Sequence, residues 1–348
     1  MAQKSKSAAG KTSFHAIVEK VQRGTISDKE ISKYFVAQPN PRQPFDFTIG
    51  VNSAAVDLEG VEKSGKLADA LVHDASIGRD QKIRAAAPPK GFLRKTPLVA
   101  EGDSWFRLPN SIMPPTLIDV LQERYSCPID NMAHWGDTLA DMILAGQFWP
   151  ALISGQADTF LFSGGGNDVL GGEGGIARFL NLFDVDHAKP SDAAYYIKPE
   201  FYQNLKLIVQ NYESLIQRVH VRAPNVIMLG HGYDHAIPQV SGPWIGNGMM
   251  FVGLDPTFRS DLCQAIVRIM IDAFNGALAA LAITYSNYRY VDLRGAIGKN
   301  EWRDELHPTA AGAAKTAARF DAALRKLPKS GAFTAPLIAS RTLFRRAA

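Results

Sequence analysis

From residue 98 onward, short apolar runs alternate with stretches of helical period, and each run stops at glycine and polar residues. This alternation constrains the fold more than any other feature of the chain. Leu98–Ala100 stops at Glu101-Gly102-Asp103-Ser104, and Cys127–Met132 stops at Ala133-His134-Trp135-Gly136-Asp137-Thr138. Thr159–Phe162 runs into Ser163-Gly164-Gly165-Gly166-Asn167-Asp168. Val226–Leu229 ends at Gly230-His231-Gly232-Tyr233-Asp234, and Tyr288–Val291 is the fifth run. Short apolar runs bounded by turn residues read as buried strands. Between them, helical spacing is expected over Leu117–Tyr125, from Leu139, and over Phe201–Val219, Leu262–Ile283 and Thr309–Leu327. The class is therefore α/β, with a mostly parallel five-stranded sheet covered by helices on both faces. Right-handed crossovers bring the strand C-termini to one edge, where open α/β sheets hold ligands.

A chain of 348 residues supports one large domain with additions, or two modest ones. Its apolar share of 46% is enough for a sizeable core, and its formal charge of +4 is small for a nucleic-acid binder. No nucleic-acid partner is expected. Cys127 and Cys263 sit in apolar surroundings and read as two buried thiols. The start, MAQKSKSAAGKTSF, is followed by no apolar h-region, so no ordinary secretory signal is visible. The most apolar window, Ala265–Ile283, carries Arg268, Asp272 and Asn275, and reads as a buried helix rather than a membrane span. A cytoplasmic protein is the default expectation, with signal-independent export left open. Oligomeric state is not legible.

Ahead of the alternating region lies a different kind of sequence. Residues 1–12 read as disordered, and Phe14–Val21 as an amphipathic helix. A second helix follows the capping-box spacing Ser27-Asp28-Lys29-Glu30 and continues its apolar face to Val36. Pro39, Pro41 and Pro44 stop it. Residues 61–90 suit one or two helices, and Pro88-Pro89 marks a boundary. Three segments result: a helical extension over 1–89 with no readable role, a main domain over 90–330, and a C-terminal tail over 331–348. Within the main domain, the stretch 169–199 is too long for an ordinary connection, and 231–256 is another loop. Gly171-Gly172-Glu173-Gly174-Gly175 lacks the ending of a phosphate loop and reads as a flexible flap.

The residues after the strands carry a coherent chemistry. A serine hydroxyl needs a base within hydrogen-bond reach, and the base gains from a carboxylate that orients it. Ser104 follows the first strand, and Asp304-Glu305-Leu306-His307-Pro308 offers both partners three residues apart, a spacing that shares a side in a helical turn. A tetrahedral intermediate needs donors aimed at its oxygen. Candidates are the backbone N–H groups of Ser104 and Gly136 and the amide of Asn167. Trp105, His231, Tyr233 and Trp244 are candidate pocket residues.

These four blocks resemble the SGNH hydrolases, often called GDSL esterases and lipases. The matching residues are Gly102-Asp103-Ser104, Gly136, Gly165-Gly166-Asn167-Asp168, and Asp304-Glu305-Leu306-His307-Pro308. The resemblance implies a flavodoxin-like three-layer α/β/α sandwich. It implies Ser104 as nucleophile, Asp304 and His307 completing a triad, and Gly136 and Asn167 joining Ser104 in an oxyanion hole. It implies hydrolysis of lipid, glycan or small-molecule esters with no cofactor. Trp105 stands where leucine commonly follows the serine, a departure that bears on the neighbouring pocket.

Plainer readings stand beside these. Ser104 is compatible with a helix cap, and Gly136 and Asn167 with ordinary turn residues. Asp103 reads as structural and Asp168 as a cap or loop brace. His231, Asp234 and His235 have side chains that ligate metals, but no recognisable partner set accompanies them, and no metal is expected. His134 reads as packing against Trp135. A carbohydrate O-acetylesterase, or a binding protein that retains the fold without catalysis, remains an alternative.

Overall fold

The computed structural model describes residues 10–39, 47–58, 65–86, 98–109, 112–125 and 127–327. The expected proline-rich stop over 40–44, the Pro88-Pro89 boundary and the tail over 331–348 lie outside those residues, as do residues 1–9 of the stretch expected to be disordered.

The N-terminal segment holds more than helices. Strand β1 (Thr12–Ser13) pairs in parallel with β4 (Val56–Asp57). Helix α1 (Phe14–Gln22) is capped by the Ser13 hydroxyl, which accepts from the Ala16 N–H. Helix α2 (Asp28–Tyr34) opens on a complete capping box, with Ser27 and Glu30 each accepting the other's backbone N–H. It stops two residues short of the expected end. Phe35 turns extended, and β2 (Phe35–Pro39) pairs antiparallel with β3 (Phe47–Val51). Aromatic and β-branched residues favour that pleated surface over a further helical turn. Helix α3 (Gly65–Ala86) is a single continuous helix packed on β3.

The central sheet has five parallel strands: β5 (Leu98–Glu101), β6 (Ile129–Asn131), β7 (Thr159–Phe162), β8 (Ile227–His231) and β9 (Tyr288–Val291). Their spatial order is β6-β5-β7-β8-β9, the doubly wound arrangement of flavodoxin-like folds. Every residue of β5, β7 and β8 is buried, which accounts for their unbroken apolar runs. Side chains alternate between two cores. Val99, Phe160, Phe162, Met228 and Tyr288 enter one, and Leu98, Ala100, Leu161, Leu229 and Val291 the other. Burying each such Leu or Phe contributes about 1.5–3 kcal/mol.

Helices cover both faces. The first core takes α5 (Leu139–Ala145), α6 (Trp149–Ile153), α8 (Pro199–Arg222) and α10 (Pro256–Thr284). The second takes α4 (Leu117–Arg124) and α11 (Ala310–Lys326), which pack on each other. This is the three-layer sandwich that the alternation and the motif resemblance imply. Described residues of the N-terminal segment pack into the first core. Phe35, Phe47, Ile49 and Leu71 belong to the same core as Trp135, Leu139 and Phe160.

Helix α10 is long and apolar enough to cross a membrane by composition, the one such helix among the described residues. Its stripe Leu262, Ile266, Met270, Phe274 and Leu278 is buried at helical spacing in the first core. The long excursion after β7 holds α7 (Gly166–Leu170) and three short 3-10 turns, the last of which packs on α10. Its glycine-rich start is tied down. The Arg178 guanidinium donates to the carbonyls of Asp168, Val169 and Gly171, so the expected flap is cross-linked to the turn after it. The stretch after β8 holds α9 (Gly246–Phe251).

Candidate active site

The C-terminal end of β5 is built for close approach. A Cβ on Gly102 would lie 2.8 Å from the Ser163 Cβ, so only glycine lets the ends of β5 and β7 meet there. Asp103 then ties three strand ends together. It accepts from the Trp105 N–H at 3.0 Å, from the Ser163 hydroxyl at 2.8 Å, and from the Tyr233 hydroxyl after β8. These bonds hold the turn that presents Ser104.

Ser104 Oγ lies 2.9 Å from His307 Nε2. On the other side of the ring, His307 Nδ1 lies 3.0 and 3.1 Å from the two Asp304 oxygens. The segment that carries both is a tight bend rather than the expected helical turn. Asp304 Oδ1 accepts the backbone N–H groups of Leu306 and His307 at 2.9 and 2.8 Å, so the carboxylate shapes the turn that points the imidazole at it. Burial pushes the Asp304 carboxyl upward. His307 and those two N–H groups outweigh it, and the net shift is below the ordinary value. Thr309 closes the bend by capping α11.

Gly136 sits in the turn after β6 with φ of +86°, a conformation that favours glycine. Asn167 is the second residue of α7, entered through Gly165 at φ of +106°. The Asn167 Nδ2 donates to the carbonyl of Asp137 at 2.7 Å, which joins the turn after β6 to the turn after β7. Asp168 reinforces the same junction by accepting the Leu139 N–H at 3.0 Å, and burial pushes its carboxyl up to about 6. Tyr233 completes the frame. Its hydroxyl accepts the Gly166 N–H at 2.9 Å while donating to Asp103.

A cavity opens beside Ser104. Ser104, Trp105, Asn167 and Tyr233 line it together with Leu170, Phe201, Val267, Met270 and Phe274. Two of the four expected pocket residues lie elsewhere. β8 runs two residues past its expected end, so His231 falls inside the sheet. It is fully buried and stacks on Phe106, and burial pushes its imidazole down to about 4. Trp244 is also buried and packs against the His307 ring with centroids 5.4 Å apart. Gly136 does not line the cavity either.

The metal-capable trio is used separately. Asp234 accepts three backbone N–H groups, from His235, Gly295 and Ile297, and His235 Nε2 lies 2.9 Å from Asp272. Among the described residues, no three His, Cys, Asp or Glu side chains cluster as a metal site. His134 stacks on Trp135.

Sequence reasoning missed three supports. Glu305 is fully buried, and its carboxylate accepts four backbone N–H groups, from Gln239, Trp244, Ile245 and Gly246, at 2.6–3.0 Å. It bolts the stretch after β8 to the His307 turn. A Cβ on Gly242 would fall 2.1 Å from its carboxyl carbon, so the carboxylate needs that glycine. Arg107, three residues past Ser104, forms a buried ion pair with Asp80 of α3 at 2.7 Å. Phe47 of β3 lies against His307, with centroids 5.4 Å apart. The sequence signals were faint: an acid inside the Asp304–Pro308 block, and an arginine within an apolar motif.

The five-stranded parallel sheet, with Ser104, His307 and Asp304 in contact at its C-terminal edge, fits the SGNH hydrolase fold. The GDSL-like lipase/acylhydrolase family model matches residues 102–315, and the chain belongs to that family. No curated protein matches the chain. Among solved structures, it is similar to an extracellular lipase from Streptomyces rimosus at 16% identity and a TM-score of 0.44, covering 66% of this chain and 99% of that one. It is similar to phospholipase A1 from Streptomyces albidoflavus NA297 at 16% identity and a TM-score of 0.44, covering 65% and 98%. It is also similar to a carbohydrate esterase of family 3 from Talaromyces cellulolyticus at 14% identity and a TM-score of 0.38, covering 66% and 96%.

Proposed function

We propose that this chain hydrolyses carboxylic esters through an acyl-enzyme on Ser104. The observation that carries the reading is the 2.9 Å contact between Ser104 Oγ and His307 Nε2, continued at Nδ1 by Asp304. In this reading, His307 takes the hydroxyl proton as Ser104 Oγ attacks the ester carbonyl. Asp304 holds the ring in the tautomer that leaves Nε2 free to accept, and it stabilises the imidazolium as it forms. The carbonyl oxygen becomes an oxyanion. The backbone N–H groups of Ser104 and Gly136 and the Asn167 amide are assigned to it, and each such donor is worth about 3 kcal/mol in the transition state. Asn167 Nδ2 carries two hydrogens. One is committed to the Asp137 carbonyl, which leaves the other for the oxyanion. His307 then returns its proton to the departing alkoxide. Water attacks the acyl-enzyme with the same imidazole as base and releases the acid.

The cavity beside Ser104 supports an aliphatic acyl group. Most of its lining residues are Leu, Ile, Val, Met and Phe, which gain little from an acetyl group on a sugar and more from each added methylene. Chain-length profiling tests this: turnover of p-nitrophenyl esters rises from acetate to medium-chain acyl groups. A maximum at acetate, with release of acetate from acetylated glycans, assigns the site to carbohydrate de-acetylation instead. Ser104→Ala abolishes all of these activities while the fold is retained. Unchanged turnover in that variant removes the mechanism.

A further inference from the structure

The N-terminal segment reaches the candidate catalytic histidine. β3 begins at Phe47, which pairs with Pro39 across the hairpin and is buried. Its ring lies 5.4 Å from the His307 ring and 5.7 Å from the Trp244 ring, and Trp244 lies 5.4 Å from His307. The three centroids form a nearly equilateral triangle. Phe47 and Trp244 therefore touch each other as well as the imidazole. They come from segments far apart in the chain, and both are anchored. The Trp244 backbone donates to Glu305, in the same turn as His307. The hairpin rests on α3, which is fixed to the main domain by the Asp80–Arg107 ion pair and by the Trp135 indole donating to Asp69 at 3.2 Å.

Hydrogen bonds hold the His307 ring only at its two nitrogens. Those bonds resist rotation of the ring only while both are made, and the one to Ser104 is exchanged during proton transfer. Packing must supply that restraint, and a buried aromatic wall supplies it without competing for either nitrogen. We propose that Phe47 is a positioning residue for His307, and that the N-terminal segment is thereby a working part of the active site. The inference rests on the esterase reading above. Phe47 does not line the cavity beside Ser104, so its loss leaves acyl binding in place and acts on proton transfer.

The test uses the full chain and the series Phe47→Leu, Phe47→Val and Phe47→Ala, with active sites titrated by a fluorophosphonate. Misplacement of a catalytic group lowers kcat, so kcat per titrated site on p-nitrophenyl butanoate falls as the side chain shrinks, roughly tenfold by the smallest variant, with KM within roughly twofold. The rate constant of fluorophosphonate labelling falls in parallel, and Phe47→Leu keeps most of the activity. If alanine prevents folding, the leucine and valine variants still define the trend. A purely structural residue gives fewer titratable sites with kcat per site unchanged across the series, and that result overturns the proposal. Wild-type protein that neither labels at Ser104 nor turns over ester removes the esterase reading itself, a distinct outcome.

Discussion

The amide of Asn167 donates to the backbone carbonyl of Asp137 at 2.7 Å, across the gap between two neighbouring turns at the sheet edge. One hydrogen bond thus fixes the Gly136 turn relative to the Asn167 turn and aims the amide. Asn167→Ala removes both the donor and the tie. The account expects kcat to fall by roughly 100- to 1,000-fold with KM nearly constant, read by steady-state kinetics on a short acyl ester. A rise in KM alone would place Asn167 in ground-state binding only.

Asp304→Asn isolates the orienting carboxylate. The amide can present its N–H to His307 Nδ1, which favours the tautomer with Nε2 protonated and unable to accept from Ser104. In an analogous triad the cost is about 10⁴ in kcat, and a loss of roughly 10³–10⁴ is expected here. A loss under tenfold would mean that His307 is oriented by its packing alone.

Glu305→Gln tests the buried bolt. One carboxylate oxygen accepts from Gln239 and Gly246, the other from Trp244 and Ile245. A carboxamide keeps one acceptor and turns an NH₂ toward two N–H donors. Unsatisfied buried donors cost about 1–3 kcal/mol each, so denaturant unfolding should show a loss of at least that size. Stability unchanged within about 0.5 kcal/mol would show that the stretch after β8 does not depend on this anchor.

Glu101, at the end of β5, gives a pH dependence of known sign. Burial pushes its carboxyl up to about 8. The Asp137 charge adds to that, while the Gly102 N–H and the Arg107 charge partly oppose it. The unfolded group ionises near 4.5, so between 4.5 and about 8 the unfolded state sheds a proton that the folded state keeps. Glu101 therefore contributes stability fully below 4.5, and that contribution is lost as pH rises through about 8. Glu101→Gln keeps an acceptor for Gly102 and removes the titration. Melting temperatures at pH 5 and pH 8 should differ less in the variant than in the wild type. An equal difference in both would show that Glu101 does not titrate with the fold.

The sheet was largely legible because its strands are buried on both faces. Thr159–Phe162 and Tyr288–Val291 are bounded in the structure where their apolar runs begin and end. β6 is shorter than its run, since only Ile129–Asn131 pairs with β5 at the sheet edge. The β2–β3 hairpin was not legible. The helix pattern after Ser27 runs on through Phe35, and only pairing with Phe47–Val51 favours an extended chain there. That Ser104, Asp304 and His307 lie together follows from motifs at strand ends. Glu305 escaped notice because its four donors come from backbone some sixty residues away, and backbone leaves no residue signature. His231 misled because a histidine after an apolar run resembles a loop residue, whereas here the strand continues through it.

Mapping the adduct formed by a fluorophosphonate by peptide mass spectrometry tests the central claim most directly. The account predicts one adduct, on Ser104, with loss of ester hydrolysis in proportion to its formation. Hydrolysis that persists with Ser104 unmodified, or an inactivating adduct on another residue, contradicts it.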